Sequence, residues 1–116
     1  MNNDLYYEHY ALLCKNIMNP MRLRIIEAIG KEKLNVSEIQ NRVKITISMS
    51  NLSNHLTALY NVGVVGREKK GNFIFYFLVE PGLLDVLDKM RNITDSIRTH
   101  RNPSTSMMND TPVEIE

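Results

Sequence analysis

"SMSNLSNHLTALYNVGVV", residues 48–65, decides the fold. Leu52, Leu56 and Leu59 fall at i, i+4 and i+7, the spacing that lines side chains along one face of an α-helix. Ser48 is a good N-cap ahead of that run, and Gly63 is a natural stop behind it. The outward positions, Met49, Ser50, Ser53, Asn54 and Thr57, are short and uncharged. Solvated helix faces usually carry charged side chains. A face that meets base edges in a major groove uses other chemistry. Asn can pair with adenine through two hydrogen bonds, Ser fits several edges, and Met can touch a thymine methyl. The spacing and side-chain types together predict a recognition helix.

Upstream, "NVSE" (35–38) has the form of a capping box, a small polar residue followed three positions later by Glu. It opens a short helix with Val36, Ile39 and Val43 inward. "KEKLN" (31–35) reads as a polar link. Asn19-Pro20 starts another helix, with Asn as N-cap and Pro in the first turn. That helix runs to Gly30, with Leu23, Ile26 and Ile29 inward. The first helix, "LYYEHYALLCKNIM" (5–18), carries Tyr6, Tyr10, Leu13 and Ile17 in one row, and Tyr7, Ala11, Cys14 and Met18 in the next. A stripe that wide calls for burial on more than one side.

Downstream, "VVGREKKGNFIFYFLV" (64–79) reads as two strands around Lys70-Gly71-Asn72, a hairpin turn signal. Both faces of Phe73–Leu78 are apolar, so part of the strand should be covered on both sides. A last helix follows Pro81-Gly82, with Leu83, Leu87, Met90, Thr94 and Ile97 along one stripe. The expected architecture is mainly α with a small β-hairpin, in the order ααααββα: a winged helix-turn-helix. One domain should span 1–100, with a disordered tail at 101–116.

With these elements in place, the chain resembles the ArsR/SmtB family of winged-helix repressors from about Leu12 to Leu87. Asn19, Pro20, Arg22, Leu23 and Ile25 match the family's Asp/Asn-Pro-x-Arg-Leu-x-Ile. Ser48, Ser50, Ser53, His55, Leu56, Leu59, Gly63 and Val65 match its recognition-helix pattern, and "REKKGNFIFYFL" (67–78) matches its wing. The resemblance implies a homodimer formed through the first and last helices, with Tyr6, Tyr10, Leu13, Ile17, Leu83, Leu87, Met90 and Ile97 at the interface. It also implies DNA contact from Met49, Ser50, Ser53 and Asn54, and Ser48, His55 and Thr57 on the same helix are further candidates. For His55, a phosphate or intramolecular hydrogen bond is favoured over base reading. The wing residues Arg67, Lys69, Lys70 and Asn72 would meet the DNA backbone. The operator would be palindromic, with half-sites one helical turn apart, ~34–36 Å.

The family's metal-sensing members use Cys-x-Cys or Asp-x-His with His-x-x-Glu. The matching positions here read Asn35-Val36-Ser37, Glu80-Pro81-Gly82 and Ile93-Thr94-Asp95-Ser96, so no metal or other cofactor is expected. The formal net charge is +1, which confines nucleic-acid binding to local patches. The single cysteine, Cys14, excludes an intramolecular disulfide and reads as a small buried hydrophobe. No apolar run approaches the ~18 residues of a membrane span, and the N-terminus lacks a signal-peptide core, so a cytoplasmic protein is expected. No phosphate loop, no nucleophile beside a base and no carboxylate pair in a cleft points to an enzyme. The expected partners are double-stranded DNA and a second copy of the chain, and the sequence names no effector. The alternative from another class is a winged-helix protein-interaction module in a transcription or replication complex, which the near-neutral charge would suit.

Overall fold

A computed structural model describes residues 3–101. The elements are α1 (Asn3–Ile17), α2 (Pro20–Ile29), β1 (Leu34–Asn35), α3 (Val36–Arg42), α4 (Met49–Asn61), β2 (Val65–Lys70), β3 (Phe73–Leu78) and α5 (Leu83–Arg101). The chain divides into two compact units between Pro81 and Gly82. Arg101 closes α5, and the rest of the tail expected at 101–116 lies outside the described residues.

Local chemistry sets the helix ends. Asn19 Oδ1 accepts from the backbone N–H of Met21 (2.9 Å) and Arg22 (3.1 Å), with Pro20 in the first turn of α2. Asn35 and Glu38 close the capping box of α3 with two 2.9 Å bonds, each side chain accepting from the other's backbone N–H. Ser48 Oγ accepts from Asn51 N–H at 3.1 Å and starts α4. Gly63 stops α4 with φ +84°, and the Val64 N–H returns to Leu59 O. That left-handed position suits glycine because it carries no Cβ.

The link between α3 and α4 is closed by a bond from Gln40 Nε2 to Ile47 O (2.9 Å), with Ile47 buried beneath it. Lys44 takes a positive φ of 62° there, alone among the described non-glycine residues.

The core of the first unit is built from Ile25, Ile26, Ile29, Ile39, Leu52, Leu56, Leu59 and Val65, all fully buried. On α2 the buried residues are Ile25, Ile26 and Ile29, and Leu23, expected inward, is only half-buried. On α3, Val36 is likewise half-buried while Ile39 and Val43 are buried.

The sheet is three-stranded and antiparallel, in the order β1-β3-β2. The polar link at 31–35 therefore contributes a third strand: Leu34 pairs with Tyr76 and Asn35 with Phe75, and Leu34 is buried. Gly71 begins the β2–β3 turn with φ +62°. Tyr76 and Leu78 are buried on one face of β3. On the other, the Phe77 ring lies over Gly66, where an added Cβ would come within 2.5 Å of the ring. Phe73 and Ile74, near the turn, are exposed, so the strand is covered on both faces only at the end far from the turn.

Leu56 sits at the centre of the buried α4 face. Leu56→Ala should cost roughly 2–5 kcal/mol of stability, read as a lower midpoint in denaturant unfolding. A loss of about 0.5 kcal/mol or less would mean that this face is not the core contact.

Candidate nucleic-acid interface

The buried leucines fix the rotation of α4, and that rotation decides what faces outward. Met49, Ser50, Asn54 and Thr57 are exposed and Ser53 is half-buried. Asn51 is exposed beside them. The exposed side of α4 carries no Asp, Glu, Lys or Arg, so it offers hydrogen-bonding and apolar groups rather than charge. Ser48 differs from the others, because its hydroxyl is already engaged as the cap.

His55 lies on one flank of this face, half-buried. Its Nδ1 accepts from Arg22 Nε at 3.2 Å. Partial burial and the Arg22 charge hold the imidazole below its ordinary pKa, so the ring is neutral at pH 7. Of the two kinds of bond expected for His55, to a phosphate or within the chain, the second is present.

Tyr60 lies on the other flank. The Arg67 guanidinium sits 3.9 Å from the centre of its ring, a cation–π contact that joins β2 to α4. Arg67 was expected among the wing residues that meet the DNA backbone. In the sheet it pairs with Tyr76, and its charge rests on Tyr60 of α4.

The wing contains an acid that sequence reading passed over. Glu68 binds Lys33 at 3.2 Å and Lys70 at 3.3 Å. These two ammonium groups hold the Glu68 carboxyl below the usual carboxylate range. Lys33 also lies 5.2 Å over the Phe77 ring. Lys70 is thus partly neutralised, while Lys69 and Asn72 are exposed near or in the turn. The signal was the alternation in "REKK", which places Glu68 and Lys70 on one face of a strand. The approach of Lys33 depends on β1, which no local pattern announced.

The residues expected at a dimer interface divide into two groups. Ile17 and Leu87 are buried within the single chain, and Leu83 is half-buried. Ile17 is the one buried residue of α1 and Leu87 that of α5. Tyr6, Tyr10 and Leu13 are exposed on α1, as are Met90 and Ile97 on α5. Val86 and Ile93 extend the exposed row of α5. Cys14 is a half-buried free thiol. Among the described residues no group of three or more His, Cys, Asp and Glu side chains is arranged to hold a metal ion. None of the described helices is long and apolar enough to cross a membrane.

Comparison with known proteins agrees with this geometry. Residues 17–66 match a helix-turn-helix domain family. The chain is 27% identical over 101 residues to the uncharacterized HTH-type transcriptional regulator Rv0081 of Mycobacterium tuberculosis, covering 87% of this chain and 88% of the relative. The crystal structure of Rv0081 superposes with a TM-score of 0.71 at 28% identity, over 83% of this chain and 95% of that one. This is a winged helix-turn-helix transcriptional regulator. The regulator is also 29% identical over 84 residues to the cadmium resistance transcriptional regulatory protein CadC of Listeria innocua, covering 72% of this chain and 69% of the relative. The structure of the transcriptional repressor PagR of Bacillus anthracis matches with a TM-score of 0.64 at 28% identity, over 76% of this chain and 99% of that one. The matched domain runs from the end of α1 to the start of β2, so it contains α4 and both of its caps.

Glu68 restrains the wing's charge. In Glu68→Gln, Lys33 and Lys70 lose their counter-ion, and binding to any duplex DNA should tighten. The slope of log affinity against log salt should steepen by about one unit. An unchanged slope in a salt titration would take this part of the wing off the DNA.

Proposed function

We propose that the regulator is a homodimeric repressor of the cytoplasm that docks α4 of each protomer in successive major grooves of a palindromic operator. Asn54 reads a base edge, with Ser50, Ser53, Thr57 and Met49 filling the groove around it. Lys69, Lys70 and Asn72 lie along the flanking backbone. The observation that carries this reading is the uncharged, exposed face of α4, held at a fixed rotation by three fully buried leucines. Phosphate contacts give affinity without sequence information, and base contacts give the preference. Placing charge on the wing and neutral donors on the helix separates those two tasks.

Dimerisation is supported by the exposed apolar side chains of α1 and α5. Tyr6 packs against Tyr7 and Tyr10, with ring centres 5.3 and 6.1 Å apart, and the cluster faces solvent in the single chain. An exposed aromatic cluster of this kind marks an interaction site. A two-fold dimer would cover the same patch on both copies. Repression fits the likeness to PagR, a transcriptional repressor.

Two experiments test the reading. In gel shifts on the preferred duplex, Asn54→Ala should lose roughly 1–3 kcal/mol of binding and affect random DNA little. Equal losses on both would mean that Asn54 does not read bases. Tyr10→Glu combined with Leu13→Glu should turn a dimer into a monomer in sedimentation equilibrium and abolish selective binding. A variant that stays dimeric would move the interface away from α1.

A further inference from the structure

Arg22 stands in the first turn of α2, and its guanidinium reaches two other helices. Nη1 donates to the main-chain oxygen of Asn16 at 3.2 Å and to Asn16 Oδ1 at 3.1 Å, at the end of α1. Nε donates to His55 Nδ1 on α4 at 3.2 Å. The donors of a guanidinium lie in one rigid plane, so these bonds set the His55 ring relative to the last turn of α1. A lysine offers no such plane.

The bond also selects a tautomer. A neutral imidazole that accepts at Nδ1 carries its proton on Nε2. Nε2 of His55 has no partner among the described residues, and no buried side-chain nitrogen or oxygen is left unsatisfied. Nε2–H is therefore a solvent-facing donor. It sits on the flank of α4, beside the face that carries Asn54. The flanks of a helix lying in a groove are where backbone phosphates come close.

We propose that Arg22 is a positioning residue for DNA binding: it holds His55 as the neutral Nε2–H tautomer, so that this N–H donates to a phosphate oxygen when α4 docks. The inference rests on the reading of α4 as the DNA-contacting helix. It adds a contact that needs no positive charge on the ring. The charged group at the ring is Arg22 itself. α1 contributes the neutral Asn16, and no carboxylate is hydrogen-bonded to the ring among the described residues. Protonation of Nδ1 would remove the acceptor and set two cations against each other. Burial and the Arg22 charge both oppose protonation of the ring, and a ring freed from Arg22 would keep only the first of these.

The test uses the full chain. Long-range 1H–15N spectra resolve the imidazoles of its three histidines, and His55→Gln assigns the signal. At pH 7 the wild-type His55 signal should show the Nε2–H pattern. The Nδ1–H pattern overturns the proposal without need of any variant. Affinity for a preferred duplex is then measured for wild type, Arg22→Gln, His55→Gln and the double variant. Arg22→Gln should weaken binding roughly tenfold or more, as expected for losing one hydrogen bond to a charged group. As pH falls, its binding should also begin to change at a higher pH than that of the wild type, because the Arg22 charge no longer opposes protonation of the ring. In the His55→Gln background the same change should cost less than about threefold, because the two residues act as one unit. Equal costs in both backgrounds overturn the proposal, since Arg22 would then act only through α1. Selective wild-type binding with additive variants sinks this inference alone. Wild-type protein with no salt-sensitive DNA preference sinks the DNA reading as well.

Discussion

The row formed by Leu52, Leu56 and Leu59 constrains everything else. All three are fully buried against a core that includes Ile25, Ile26, Ile29 and Ile39. A helix has one rotation that buries such a row, and a turn of about 100° would put leucine in water and asparagine in the core. The row therefore chooses which side chains are presented. Ser48 and Gly63 choose where that presentation begins and ends, through a side-chain cap at one end and a left-handed turn at the other.

Two arginines then brace the helix from opposite flanks. Arg67 reaches Tyr60 from β2, and Arg22 reaches His55 from α2. Neither charge lies at the centre of the outward face. The same displacement is visible in the wing, where Glu68 holds Lys33 and Lys70. With a net charge of +1, the chain has little charge to attract DNA at long range. Restrained phosphate attraction lowers affinity for every sequence alike, which leaves base contacts a larger share in choosing a site.

The parts of this structure legible in the sequence are those specified by neighbours in the chain. The N-caps at Asn19, Asn35 and Ser48, the stop at Gly63 and the turn at Gly71 each depend on a few adjacent residues, and each stands where the pattern put it. What escaped depends on distant partners. β1 is two residues long and exists because Leu34 meets Tyr76. Ile25, rather than Leu23, fills the core because the stripe of α2 can rotate by one residue without changing its periodicity. Ile17 and Leu87 are apolar in rows that also carry exposed residues, and only the folded chain separates the two kinds. The bonds from Arg22 to His55 and from Lys33 to Glu68 cross more than thirty positions, beyond any local signal.

Titrating the 15N-labelled full chain with a duplex bearing its preferred site, and following the backbone amides, shows whether the outward face of α4 enters DNA. The largest shifts should fall at Met49–Thr57, with a second group at 69–72 and small changes on the exposed residues of α5. Shifts concentrated on the outer face of β3, at Phe73 and Phe75, with α4 unmoved, would contradict that docking.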